Sequence, residues 1–139
     1  MLRRFGLLIC TILLLPACSY DESGSDEYDP ARDYFSFANT DQFVTEHLVL
    51  DLTVDFDTRR LSGKARLDMR RRDPEATEVV LDTRDLSVTA VTVIVDEQFV
   101  RPADHRFAES DSVNGTPLVI ELPENAAGAD KFSVSIVYA

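Results

Sequence analysis

The sequence predicts an all-β fold, an antiparallel-rich, curved sandwich-like sheet left incomplete at its C-terminus. Three observations carry that prediction. From Val44 onward apolar and polar side chains alternate with a period of two. Turn-forming residues interrupt the alternation at short intervals, at Asp73-Pro74, Asn114-Gly115, Pro123 and Gly128. No segment beyond the N-terminal leader holds a helical period, and no internal repeat is present.

The leader comes first. Arg3 and Arg4 precede a mostly apolar run from Phe5 to Leu15, which ends in Leu15-Pro16-Ala17-Cys18. A run of about eleven residues falls well short of the ~20 that a helix needs to cross a bilayer. Basic start, apolar centre and small-residue exit together predict a secretory signal over 1–17. Its end resembles a bacterial lipobox, with Pro16 at a position that usually holds a small residue. That resemblance implies cleavage before Cys18 and lipid attached to its thiol. Ser19 after the cysteine resembles the pattern that sorts lipoproteins to the outer membrane, on its periplasmic side, rather than retaining them at the inner one. Cys10 leaves with the leader, so no disulfide is expected.

Residues 18–33 are acidic, with Gly and Ser and no apolar periodicity, and read as a flexible, self-repelling tether. They lack the ligand spacing of a calcium loop. The domain is expected over 34–139. It opens with a lead-in in which Phe35, Phe37 and Phe43 would pack on the body of the fold.

The long hairpin follows. Leu48, Leu50, Leu52, Val54 and Phe56 alternate with His47, Val49, Asp51, Thr53 and Asp55, and Leu61, Gly63, Ala65, Leu67 and Met69 with Ser62, Lys64, Arg66, Asp68 and Arg70. A four-residue loop, Asp57 to Arg60, would set Phe56 opposite Leu61, so both apolar sets are expected to face one core. Further strands are predicted at Val79 to Leu81, Leu86 to Val95, Phe99 to Phe107, Leu118 to Leu122 and Phe132 to Tyr138. The phase slips between Ala90 and Val91, which predicts a bulge or a crossing between layers. The final strand runs into Ala139 without a turn or charge, so the domain is expected to be cut rather than finished.

Charge bounds the partners. The chain carries 14 Lys and Arg against 25 Asp and Glu, a formal net charge of −11, and two of its basic residues lie in the leader. Such a surface repels phosphate backbones, so no nucleic-acid partner is expected. Arg70-Arg71-Arg72 abuts Asp68, Asp73 and Glu75 and reads as a solvated strand end.

No catalytic constellation is present in the sequence. There is no H-E-x-x-H, C-x-x-C, G-x-S-x-G or Gly-rich phosphate loop. His47 and His105 are far apart, and Glu46 and His47, adjacent on a strand, point to opposite faces. The acidic pairs Asp51 and Asp55, and Glu109 and Asp111, lie among solvent-facing residues where nothing raises a carboxyl pKa. Catalytic, metal and disulfide residues are therefore all expected to be absent, leaving Cys18 as the single candidate site residue.

Three blocks nevertheless identify a relationship. V-T-E-H-L-V-L-D-L-T-V-D-F-D-T-R-R-L-S-G-K-A-R-L resembles the start of the N-terminal β-domain in the leukotriene hydrolase and aminopeptidase N family of zinc metallopeptidases. Val79-Val80-Leu81-Asp82-Thr83-Arg84-Asp85-Leu86 is similar to that family's V-L-D-T-[KR]-D-L segment. Gly115 to Pro123 resembles its next block, and the Phe132 to Tyr138 strand ends the match. The resemblance spans Asp33 to Ala139, in order. It implies a saddle-like β-domain that leads, in cis, into a downstream catalytic domain holding H-E-x-x-H, a further Glu ligand and zinc. It also implies peptide substrates, gripped by a G-x-M-E-N segment absent here. No catalytic residue carries over. The resulting expectation is the N-terminal structural part of an exported, lipid-anchored zinc aminopeptidase, inactive by itself. The other reading is a complete small lipoprotein whose β-domain binds a partner and catalyses nothing.

Overall fold

The computed structural model describes residues 33–97 and 99–139. The leader, Cys18 and all of the tether but its last residue lie outside them. Eight strands follow in order: β1 (Phe43–Asp55), β2 (Arg60–Arg71), β3 (Glu78–Thr83), β4 (Val88–Val95), β5 (Phe99–Pro102), β6 (His105–Phe107), β7 (Thr116–Glu121) and β8 (Lys131–Tyr138). They form two open sheets, five strands in the order β1-β2-β8-β4-β5 and three in the order β3-β7-β6. Every pairing is antiparallel. The described residues contain one short 3-10 turn, Glu124–Ala126, and no helix long and apolar enough to cross a membrane. The all-β, antiparallel expectation holds.

The long hairpin closes on Asp55. Its Oδ1 accepts from the backbone N–H groups of Asp57 (2.9 Å) and Thr58 (3.0 Å), and Arg59 completes the loop at φ 54°. That chemistry pairs Asp55 with Arg60 and Val54 with Leu61, two residues along from the expected register. Phe56 therefore rides in the turn, 85% exposed. The slip of two keeps every side chain on its predicted face, because the side-chain period is also two. Gly63 is required where it stands: a Cβ there would collide with the Asp51 carbonyl oxygen on β1.

Apolar rows cross the five-stranded sheet. Leu67 lies opposite Val134, which lies opposite Val93; Ala65, Ile136 and Val91 form the next row. The three-stranded sheet covers them with Val79, Leu118 and Ile120, all essentially inaccessible. This is the core, and it reaches only part of the hairpin. Ala65 and Met69 are buried, but Leu48, Leu50, Leu52, Val54 and Leu61 remain 40–53% exposed. The expectation that both apolar sets fill one core is thus corrected for the outer half of the hairpin: the smaller sheet does not extend that far.

Three local features depart from the sequence reading. First, β1 has a register shift between Thr45 and His47 that leaves Glu46 as the extra residue. Second, the shift in β4 falls between Val88 and Ala90, slightly before the expected slip, with the Thr89 hydroxyl donating to the Val137 carbonyl at 3.2 Å. Third, the strand expected over Phe99 to Phe107 is two strands in two sheets. Pro102 has no N–H to continue a ladder. Ala103 then donates to the Val91 carbonyl of the larger sheet (3.0 Å), while the Asp104 carbonyl accepts from Glu121 of the smaller one (2.9 Å). The chain changes layers there.

Arg71 requires another correction. It is not part of a solvated strand end but 8% exposed, facing the core opposite Phe43. Its guanidinium lies 5.3 Å from the Phe43 ring centroid and 5.8 Å from that of Phe132, and these rings meet edge-on at 5.8 Å. It donates to three backbone carbonyls, those of Ala76, Ala126 (2.8 Å) and Ala129 (3.2 Å). A five-donor fork satisfies carbonyls of two loops at once, the one after β2 and the one before β8.

The lead-in is held by hydrogen bonds more than by its aromatic rings. Phe35 is 79% exposed, although Phe43 is buried. Asn39 accepts from the Val80 N–H (2.9 Å) and donates to the Glu78 carbonyl (2.8 Å), occupying the edge of β3 that β7 leaves open. Asp82 accepts from the Ser36 hydroxyl (2.5 Å) and the Phe37 N–H (2.8 Å). An edge that could recruit a foreign strand is thereby capped.

Candidate functional site

The outer face of the five-stranded sheet carries the densest polar network. Antiparallel pairing puts His47 across from Asp68, and Asp68 across from Ser133. Ser133 donates to Asp68 Oδ1 at 2.6 Å, Arg66 Nε donates to the same oxygen at 3.0 Å, and His47 Nδ1 stands 3.3 Å from Oδ2. Arg66 also donates to the Ser133 hydroxyl, at 3.1 Å. The hydroxyl of Ser133, then Arg66 and His47, hold the Asp68 carboxyl well below its ordinary range, at about 2. Serine, aspartate and histidine are all present, but in an order that does not activate a nucleophile. A catalytic triad needs the imidazole between hydroxyl and carboxylate. Here the carboxylate sits in the middle and accepts the hydroxyl's hydrogen bond itself.

Glu46, the extra residue of β1, completes this face. It accepts from Arg70 Nε at 2.7 Å and from Lys131 Nζ at 2.8 Å, and those bonds, Lys131's first, lower its pKa. One member of each acidic pair singled out in the sequence is likewise tied up locally. Asp55 caps the hairpin turn, and Asp111 accepts from Val113 (2.5 Å) and Asn114 (2.9 Å) in its own loop, so both carboxyls are shifted downward by backbone N–H groups. A general acid needs a shift in the opposite direction.

His47 and His105 stand on different sheets, in β1 and β6. Among the described residues no three His, Cys, Asp or Glu side chains converge to hold a metal ion. Cys18 lies outside the described residues.

Open depressions mark the surface of the described residues. One of about 180 Å³ lies over the Asp68 network and one of about 210 Å³ beside Leu86 and Phe107. The third, about 270 Å³ and mainly apolar, is lined by residues that include Asn39, Phe43, Thr45, Met69, Val80 and Leu81. Each is smaller than the roughly 300 Å³ at which drug-sized ligand pockets begin. The feature that stands apart is the uncovered apolar half of the hairpin.

No family model matches the chain. Individual proteins do. The chain is 32% identical over 102 residues to leukotriene A-4 hydrolase of Xenopus laevis, a match covering 73% of this chain and 16% of that protein. It is 35% identical over 92 residues to leucine aminopeptidase 2 of Phaeosphaeria nodorum, covering 66% of this chain and 14% of that one. Its fold superposes on native yeast LTA4 hydrolase with a TM-score of 0.67 and 27% identity, over 81% of this chain and 17% of that one. The chain thus spans about a sixth of the length of the curated relatives it matches.

Proposed function

The homologues of this chain are leukotriene A4 hydrolases and leucine aminopeptidases, and its fold matches the N-terminal domain of a leukotriene A4 hydrolase; from that premise we propose that it is the N-terminal structural domain of an exported, lipid-anchored zinc aminopeptidase. The parent protein removes N-terminal residues from peptides, and this segment serves it as structure, with a catalytic domain following in cis. The observation that carries the reading is the single alignment that joins sequence and fold. The superposition covers 81% of this chain at 27% identity, alongside 32% sequence identity over 102 residues.

The zinc belongs elsewhere in the parent. The residues of this segment do not fit it: its two histidines occupy separate sheets, and its shifted carboxylates are engaged by hydrogen bonds already described. Export and lipid attachment rest on Arg3 and Arg4, the apolar run from Phe5 to Leu15, and Leu15 to Cys18.

The decisive experiment reads the gene past the codon for Ala139 and expresses the whole product. An in-frame H-E-x-x-H, about one bound zinc per chain and chelator-sensitive release of aminoacyl reporters are expected. A stop codon at that point, with a folded and inactive product, would leave a small partner-binding lipoprotein instead.

A further inference from the structure

Leu48, Leu50, Leu52, Val54 and Leu61 form a contiguous apolar surface that nothing in the described structure covers. Along β1 and β2 it continues the same face that enters the core at Ala65 and Met69. Toward the base of the hairpin, that face meets the apolar depression beside Thr45 and Leu81. Its residues were selected by the same period-two rule as those of the buried half, with no charge set among them. A soluble chain seldom leaves so long an apolar row to water without a partner for it.

We infer that this outer half of the hairpin is the seat of the downstream polypeptide of the same protein, the portion that corresponds to the remaining five sixths of the relatives. The inference rests on the proposed function and adds to it the surface through which the two parts meet. Two features of the chain point to this occupant. The surface is continuous with an interface already built, the one between the two sheets, so a further layer laid beside the three-stranded sheet extends the existing core rather than founding a new one. The relatives supply the chain for such a layer, since the matched segment is about a sixth of each. An anionic bilayer is opposed by the net charge of −11.

The test compares two molecules, the 139-residue chain and the full gene product, each as wild type and with Leu50→Asp and Leu52→Asp together. Photochemical carbene labelling of the Leu48 to Val54 side chains should fall several-fold in the full product. The double substitution should lower the melting midpoint of the full product by several degrees more than that of the 139-residue chain, because in the shorter chain the side chains are already about half in water. Wild-type labelling decides the matter even if the substituted full product fails to fold. Equal labelling of the two wild-type molecules in an active enzyme would overturn the inference while leaving the proposed function standing. A gene that ends at Ala139 would remove both. Self-association of the 139-residue chain that the double substitution abolishes, with the surface still labelled in the full product, would assign it to a second copy and overturn the inference. Labelling that falls only when phosphatidylglycerol vesicles are added would assign it to lipid, with the same result.

Discussion

Arg71 enters the core with no carboxylate beside it, and its charge is met by three carbonyl dipoles and two aromatic rings. Removing it takes a donor from all three carbonyls, and of these Ala126 alone keeps another, the Ala129 N–H at 3.1 Å. Arg71→Ala should therefore cost about 2–4 kcal/mol in urea unfolding. Arg71→Lys should recover little of that, since a single ammonium cannot reach carbonyls lying in three directions. Full recovery by lysine would show that charge, not the fork, is what matters. Asp68 gives a prediction in pH. Its carboxyl is held at about 2 in the fold, below its ordinary value of 3.8. The stabilisation is thus whole above the ordinary value and is lost as pH falls through about 2. Asp68→Asn should flatten the acid limb of the stability curve between those limits and lower stability at neutral pH slightly, because the side chain is 37% exposed and screened. An unchanged acid limb in the variant would show that the network does not set it. None of this was legible in the sequence. Arg71 stands in a run of three arginines among acids, and only the strand's parity, carried through to its last residue, places it on the core side.

The hairpin shows what could be read and what could not. Its faces followed from alternation alone, and they survived a register error of two residues because both periods are even. The register itself depended on the Asp55 carboxylate capturing two backbone N–H groups, a local bond that alternation does not encode. The bulge at Glu46 was missed for a similar reason: its cause is a pair of cations, one of them on β8, 85 residues away. The break between β5 and β6 did have a signal, Pro102, inside the expected strand. Gly63 reads in sequence as a mere gap in the apolar row, yet its backbone is where β1 comes closest. Gly63→Ala should destabilise by about 1–3 kcal/mol, through displacement of the Asp51 carbonyl. Thermal melting checks it, with Gly128→Ala as the control, since a Cβ at Gly128 meets nothing within 4 Å. Equal melting points for the two variants would show that β1 yields without cost.

At the scale of the molecule, alternation established two apolar faces but not how far one covers the other. That extent depends on strand lengths and sheet order, and the three-stranded sheet is too narrow for a hairpin whose strands run to 13 and 12 residues. The proposed membrane attachment belongs to this scale too. Cys18→Ser should abolish labelling by radioactive fatty acid and move the full product to the soluble fraction; persistent label would end the lipobox reading. Two or more acyl chains make anchoring stable where one alone is marginal. The strand order has a further consequence, which concerns time. β8 lies between β2 and β4, so residues 131–138 join two parts of a sheet made from residues 43–71 and 88–102. A ribosome making about 5–20 residues per second leaves the hairpin waiting several seconds for its neighbour. Until then β2 and β4 each present a bare ladder, and the larger sheet has no middle. Folding of this sheet is accordingly held back until residues 131–138 have been made, and that interval is when a chaperone has its work to do.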